Sequence, residues 1–278
     1  MIYNVIHLKD RFPFLGEQDC DPTLEVYLPE NMAEMGWEGK KRPCMLIIPG
    51  GGYRFVSRRE AEPLALQMMP RGFNVFVLTY SVAPHPFPTQ LREVAAAMEL
   101  LHANAEAWSI DPEKIAIMGF SAGGHLSAHY STAYDCPEVR AVFPDSKPVQ
   151  GSILCYPVIS ADSRYGHMGS FKNLTGEETP FSEEFVNKFS CDRLVTEKTP
   201  PAFLWHTAAD QAAPVAGSLL YAQALAAYKI PFALHIYPHG PHGLSTVDWQ
   251  TNVTLQPGSD LAKTWLTELD AWLKNLFA

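Results

Sequence analysis

The sequence predicts an α/β fold: an eight-stranded, mostly parallel sheet with helices on both faces and a small cap insertion. Two observations carry this. Short apolar runs rich in β-branched and aromatic residues alternate with longer stretches of helical period from Cys44 to the C-terminus, the pattern of parallel strands joined by crossover helices. Several of these runs are apolar almost throughout, as strands buried on both faces must be.

In chain order the predicted strands are Tyr3–Leu8, Leu24–Leu28, Cys44–Ile48, Asn74–Tyr80, Lys114–Met118, Ser152–Tyr156, Ala202–Thr207 and Phe232–Tyr237. No helical pattern separates the first two, which predicts an antiparallel hairpin at the sheet edge. Helical patterns cover Arg58–Met69, Gly123–Ser131 and Pro214–Tyr228. In Pro88–Trp108 the residues Leu91, Val94, Met98, Leu101, Ala105 and Trp108 recur at spacings of three and four, one face of a helix. From about Asp260 to Phe277, Leu261, Trp265, Leu269, Trp272 and Leu276 form a similar stripe. Only Pro157–Pro201 breaks the rhythm. It is polar, with a short helical stretch at Phe181–Phe189, and reads as a cap-like insertion (157–201) within a single domain spanning 1–278.

Composition narrows the function classes. With 47% hydrophobic and 18% charged residues among 278, the chain is an ordinary globular one rather than a disordered one. Thirty acidic against 21 basic residues give a net charge of −9, and the absence of a dense basic stripe argues against nucleic-acid binding. No apolar run approaches the roughly 18 residues of a membrane span. The N-terminus lacks a positive start followed by an apolar run, so no signal peptide is expected. Five cysteines, an odd number without a C-x-x-C pair, fit reduced thiols better than disulfides or zinc. The expectation is a cytoplasmic protein with a small-molecule partner, no cofactor and no membrane or nucleic-acid contact. Oligomeric state stays open, a homo-oligomer included.

The chemistry concentrates in loops at strand ends. After Lys114–Met118 comes Gly119-Phe120-Ser121-Ala122-Gly123, a G-x-S-x-G pattern. A nucleophilic serine needs a sharp strand-to-helix turn, and flanking glycines let chain pass close to chain there. Chance gives this pattern roughly 0.07 times per chain of this composition, so the strand before it and the helix after it carry the argument. A serine also needs a base oriented by a carboxylate, in the chain order Ser, Asp or Glu, His. His239 and His242 both lie at the end of the last strand; His242 is preferred, with His239 second. Asp210 follows the seventh strand and is the only carboxylate between Lys198 and Asp248. Backbone N–H groups must stabilise the oxyanion. One comes from Ala122, and another from Pro49-Gly50-Gly51-Gly52-Tyr53, where three glycines after a buried strand point to close backbone approach to a ligand.

The set PGGGY, GFSAGGH, TAAD and HGPHG, in this order on these strands, resembles the α/β-hydrolase fold. More narrowly, it resembles the esterases related to hormone-sensitive lipase and, within them, the acetyl (xylan) esterase-like group. The similarity covers the chain from Cys44 onward, including Tyr80 with Pro84, Pro86, Phe87 and Pro88, and Tyr156-Pro157-Val158. Pro49 stands where the common motif has the histidine of HGGG, which fits the acetyl-esterase-like group better than the lipases. Glu93 stands where the family often has aspartate. The resemblance implies catalysis by Ser121, Asp210 and His242, and an oxyanion hole of Gly51, Gly52 and Ala122.

Tyr53, adjoining the glycine run, Arg54 and His125 are the candidate substrate contacts. Arg54, with Arg58, Arg164 and His167, reads equally well as solvated surface. His125 and His129 have the i, i+4 spacing of a zinc pair, but position 126 is leucine, so the general base of HExxH is missing and no metal is expected. The resulting expectation is a serine carboxylesterase acting on short-acyl, foremost acetyl, esters of sugars or oligosaccharides. A formamidase or other amide hydrolase on the same triad is the alternative. Peptidases of this fold carry a large N-terminal domain and are disfavoured, because only Met1–Pro49 precedes the glycine loop. A binding protein that has lost catalysis would have no reason to keep all these parts.

Overall fold

The structure is a computed structural model and describes residues 1–178 and 181–278; Thr179 and Pro180 of the expected insertion lie outside them. Its strands are β1 (Ile2–His7), β2 (Thr23–Leu28), β3 (Arg42–Ile48), β4 (Asn74–Thr79), β5 (Ile110–Phe120), β6 (Gly151–Cys155), β7 (Ala202–Thr207) and β8 (Phe232–Tyr237). They form one sheet in the order β1-β2-β4-β3-β5-β6-β7-β8. β1 and β2 make the predicted antiparallel edge hairpin, β2 runs antiparallel to β4, and β3 to β8 are parallel to one another.

The continuous apolar runs now have their reason. Along β3, Cys44, Leu46 and Ile48 pack beneath α2 (Thr89–Ala103) and α3 (Ala122–Ala133). The alternate residues Met45 and Ile47 pack on the other face with α1 (Glu62–Met68) and α8 (Trp265–Leu276). Successive strand side chains point to opposite faces, and here both faces are covered. α7 (Ala216–Ala227) covers Leu154 and Leu204 on the α3 side.

Several boundaries differ from the sequence expectation, three of them for reasons the structure makes plain. β5 starts at Ile110 rather than Lys114, because Ile110 pairs with Arg42 across a bulge while the polar Asp111-Pro112-Glu113 masks the strand. α2 stops at Ala103 rather than Trp108, where Asn104 turns its side chain and N–H onto the carbonyl of Leu100. The last helix is broken: a 3-10 stretch, Ser259–Thr264, precedes α8, and Leu261 is exposed rather than on the buried stripe.

The segment 157–201 carries α5 (Met168–Thr175) and α6 (Glu183–Phe189). Phe171, Leu174, Phe185, Val186 and Phe189 pack into the core on the α2–α3 side. No helix of the described residues is long and apolar enough to cross a membrane.

Glu93 on α2 is fully buried, and its carboxylate takes hydrogen bonds from the N–H and hydroxyl of Ser81. Burial pushes its carboxyl from the ordinary 4.5 up to about 7, against the pull of those bonds. The folded state therefore keeps a proton that the unfolded chain has lost, and this group's contribution to stability falls as pH rises from 4.5 to about 7. Thermal unfolding across this range should show a decline in Tm that Glu93→Gln flattens. Parallel wild-type and variant profiles would contradict this.

Candidate active site

β3 and β5 are neighbours in register Ile48↔Gly119, while the chain leaves β3 for β4 on the other side. Connections diverge at such a point, which opens a crevice at the carboxyl ends of the strands. The glycine loop after β3 and the serine turn after β5 therefore emerge side by side. β7 and β8 do the same for a second pair of loops, through the register Thr207↔Tyr237.

Ser121 sits on the turn between β5 and α3 with φ 54° and ψ −118°. Its N–H donates to the Cys155 carbonyl at 3.0 Å, and its own carbonyl accepts from Val158 N–H at 3.0 Å. A Cβ at Gly119 would stand 2.2 Å from Ser127 Oγ, and one at Gly123 would stand 2.2 Å from the carbonyl oxygen of Ile48. Both flanking glycines are thus dictated by space.

His242 Nε2 lies 2.7 Å from Ser121 Oγ, and His242 Nδ1 lies 2.6 Å from Asp210 Oδ2. Asp210 also accepts from the N–H groups of Ala212 and Ala213 at 2.8 and 2.9 Å, and from His206 Nε2 at 3.2 Å. Burial alone would raise its pKa. The hydrogen bonds from His206 and His242 outweigh that and hold the carboxyl well below the usual range. An ionised carboxylate only accepts, so Nδ1 of His242 carries the proton and Nε2 is free to accept from the Ser121 hydroxyl. This arrangement equips a serine for attack on a carbonyl. His239 is exposed and packs against Gly258 instead.

In the glycine loop, Gly51 has φ 126°, and a Cβ there would stand 1.9 Å from the Phe55 carbonyl oxygen. The N–H groups of Gly51, Gly52 and Ala122 meet no acceptor among the described residues. Gly51, Gly52, Ser121 and His242 line one cleft of about 470 Å³, joined by Arg54, Phe55 and Arg59 and by His167, Lys172 and Asn173 from the 157–201 segment.

Two of the expected substrate contacts require correction. Tyr53 and His125 are fully buried and do not line the cleft. The Phe189 carbonyl accepts from His125 Nε2–H at 2.8 Å, so His125 Nδ1 accepts from the Tyr53 hydroxyl at 2.7 Å. Burial lowers His125 to about 4 and His129 to about 3, so both are neutral packing groups. Arg54 does line the cleft. Among the described residues, no group of three or more His, Cys, Asp or Glu side chains could hold a metal ion.

Glu60 and Tyr156 went unnoticed in the sequence as site residues. Glu60 is buried; its Oε2 accepts from Gly50 N–H at 2.8 Å and its Oε1 from the Tyr156 hydroxyl at 2.7 Å. That hydroxyl in turn accepts from Ser245 N–H at 3.0 Å, and the Tyr156 ring packs edge-on against His242, centroids 5.1 Å apart. One carboxylate thus ties the glycine loop to the histidine loop. Tyr156 directly follows β6, and no local pattern marks Glu60.

Known proteins resemble this chain in sequence and fold. The family model BD-FAE matches residues 24–225. The chain is 38% identical over 232 residues to endo-1,4-beta-xylanase B of Butyrivibrio fibrisolvens, covering 80% of this chain and 35% of that protein. It is 33% identical over 243 residues to an acetylxylan esterase of Xylanibacter ruminicola, covering 86% and 47%. The chain therefore spans between about a third and a half of the length of these relatives. The crystal structure of an acetyl ester-xyloside bifunctional hydrolase from Caldicellulosiruptor lactoaceticus superposes with a TM-score of 0.83 at 33% identity, covering 98% of this chain and 96% of that one. By its sheet, its order of motifs and the extent of the family match, the chain belongs to the BD-FAE family of α/β hydrolases.

Proposed function

We propose that the protein is a serine carboxylesterase that removes short acyl groups, foremost acetyl, from sugars or oligosaccharides. The observation that carries this is the hydrogen-bonded series Ser121–His242–Asp210 opening on the cleft beside the glycine loop. Ser121 Oγ attacks the ester carbonyl as His242 Nε2 takes its proton. The developing oxyanion is held by the N–H groups of Gly51, Gly52 and Ala122, which have no other acceptor among the described residues. The imidazolium, stabilised by ionised Asp210, then protonates the leaving alcohol, and water repeats the sequence on the acyl-enzyme. The names of the acetylxylan esterase and the acetyl ester-xyloside hydrolase support an acetylated sugar as substrate. They favour an ester over the amide-hydrolase alternative. In this reading residues 1–278 form one domain with 157–201 as its cap. The five unpaired cysteines support a reducing, cytoplasmic setting.

Hydrolysis of p-nitrophenyl acetate, butyrate and octanoate tests the reading, with N-formylkynurenine as the amide comparison. Acetate should turn over fastest and octanoate slowest, with no turnover of the formamide; fastest turnover of octanoate would overturn the short-acyl assignment. Ser121→Ala, His242→Ala and Asp210→Asn should each lose about 10⁴-fold or more in kcat. Ester turnover that survives Ser121→Ala sinks the serine mechanism. Glu60→Gln should lower kcat by roughly 10- to 100-fold with little change in KM, since loosening the glycine loop costs part of an oxyanion donor. An unchanged kcat would remove Glu60 from this positioning role.

A further inference from the structure

The cleft carries three cationic side chains. Arg54, Arg59 and Lys172 line it, in a chain whose net charge is −9. Glu60 is the single carboxylate among the described lining residues, and its two oxygens are already engaged by Gly50 N–H and the Tyr156 hydroxyl. Lys172 pairs with Glu178, both well exposed. Arg58, next in sequence to Arg59, is neutralised by Glu25. Arg59 has no carboxylate partner among the described residues.

Its position says which half of an ester it would meet. A Cβ at Gly243 would stand 2.8 Å from Arg59 Nη2, so the guanidinium lies over the residue that follows His242. The alcohol departs by taking its proton from His242, so Arg59 adjoins the alcohol half rather than the acyl half. Phe55, which also lines the cleft beside Gly51, is 52% exposed and offers apolar surface of the kind on which a sugar ring can stack. A guanidinium is a planar fork suited to a carboxylate.

Resting on the esterase reading above, we propose that the alcohol half of the natural ester carries a carboxylate, as in an acetylated uronic-acid sugar, and that Arg59 binds it with Arg54 as a weaker second cation. The step is one of recognition: the ester bond broken and the acyl-enzyme formed are those already described.

The test compares kcat/KM for an O-acetylated methyl glucuronide with that for the methyl glucoside acetylated at the same position. Wild type should prefer the uronate by about tenfold at low salt, the size of one charge-assisted contact, and the preference should shrink as salt is added. Arg59→Gln should bring the ratio to about one, Arg59→Lys should retain part of it, and Arg54→Gln should lower it less than Arg59→Gln. Equal rates in wild type, or a ratio unmoved by Arg59→Gln, overturn the proposal. A neutral sugar succinate hemiester hydrolysed faster than its acetate would place the anion on the acyl half and overturn it as well. If both acetyl esters turn over equally, the esterase reading stands and only this inference fails; if neither turns over, both fail.

Discussion

The site depends on keeping one buried carboxylate charged. The Asp210 side chain has no exposed surface, and an unpaired charge in that position would cost several kcal/mol. Four N–H groups offset the cost, two from the backbone of Ala212 and Ala213 and two from the imidazoles of His206 and His242. Each donor belongs to a different structural commitment. The backbone pair requires the tight turn after β7. His206 is fixed because its one Nε2–H is shared between Asp210 at 3.2 Å and the Ala213 carbonyl, which cannot donate, at 2.9 Å, while the Ser218 hydroxyl on α7 meets its Nδ1 at 2.8 Å. His242 is fixed by the register of β7 with β8. Because Asp210 can only accept, the tautomer of His242 follows, and with it the direction of the Ser121 hydroxyl.

Glu60 and Glu93 show how differently the same scaffold uses a buried acid. Among the described residues Glu93 is answered only by Ser81, and it titrates near neutrality. Glu60 is answered by a backbone N–H on the glycine loop and by a tyrosine hydroxyl that reaches the histidine loop. Its role is mechanical. Loops carry chemistry well only when a rigid scaffold positions them, and here three loops from different strands share one buried carboxylate and one phenol.

What was legible in the sequence was whatever a local physical constraint had written there. Strands buried on both faces must be apolar throughout, so the parallel strands from β3 onward could be read. Gly119 and Gly123 around Ser121, and Gly50 and Gly51 in the 49–53 loop, are visible because no Cβ fits, while Gly52 takes a left-handed φ of 64°. Ser121, His242 and Asp210, which the structure joins, could each be chosen because they follow strands at their carboxyl ends. Glu60 and Tyr156 meet across 96 positions, and nothing local marks such a pair. Tyr53 was misjudged for a related reason. Adjacency to the glycine loop says nothing of side-chain direction, and with φ 56° the residue is packed into the core against Tyr80 and His125 rather than toward the cleft. The start of β5 was hidden because its pairing with Arg42 overrides a polar, proline-containing stretch.

The same amphipathic logic governs the segment above the cleft. On α5, Phe171 and Leu174 turn into the core, which leaves Lys172 and Asn173 on the cleft. A surface for long acyl chains needs the reverse orientation. Asn173 does more than make the wall polar, because its Nδ2 donates to the Gly52 carbonyl at 2.8 Å. That bond fixes the peptide plane following Gly52 from above, while Glu60 holds Gly50 from below. The glycine loop is clamped between an element of the 157–201 segment and Glu60. A displacement of α5 would therefore pull on the Gly52 carbonyl, in the same short loop that carries the Gly51 and Gly52 N–H groups.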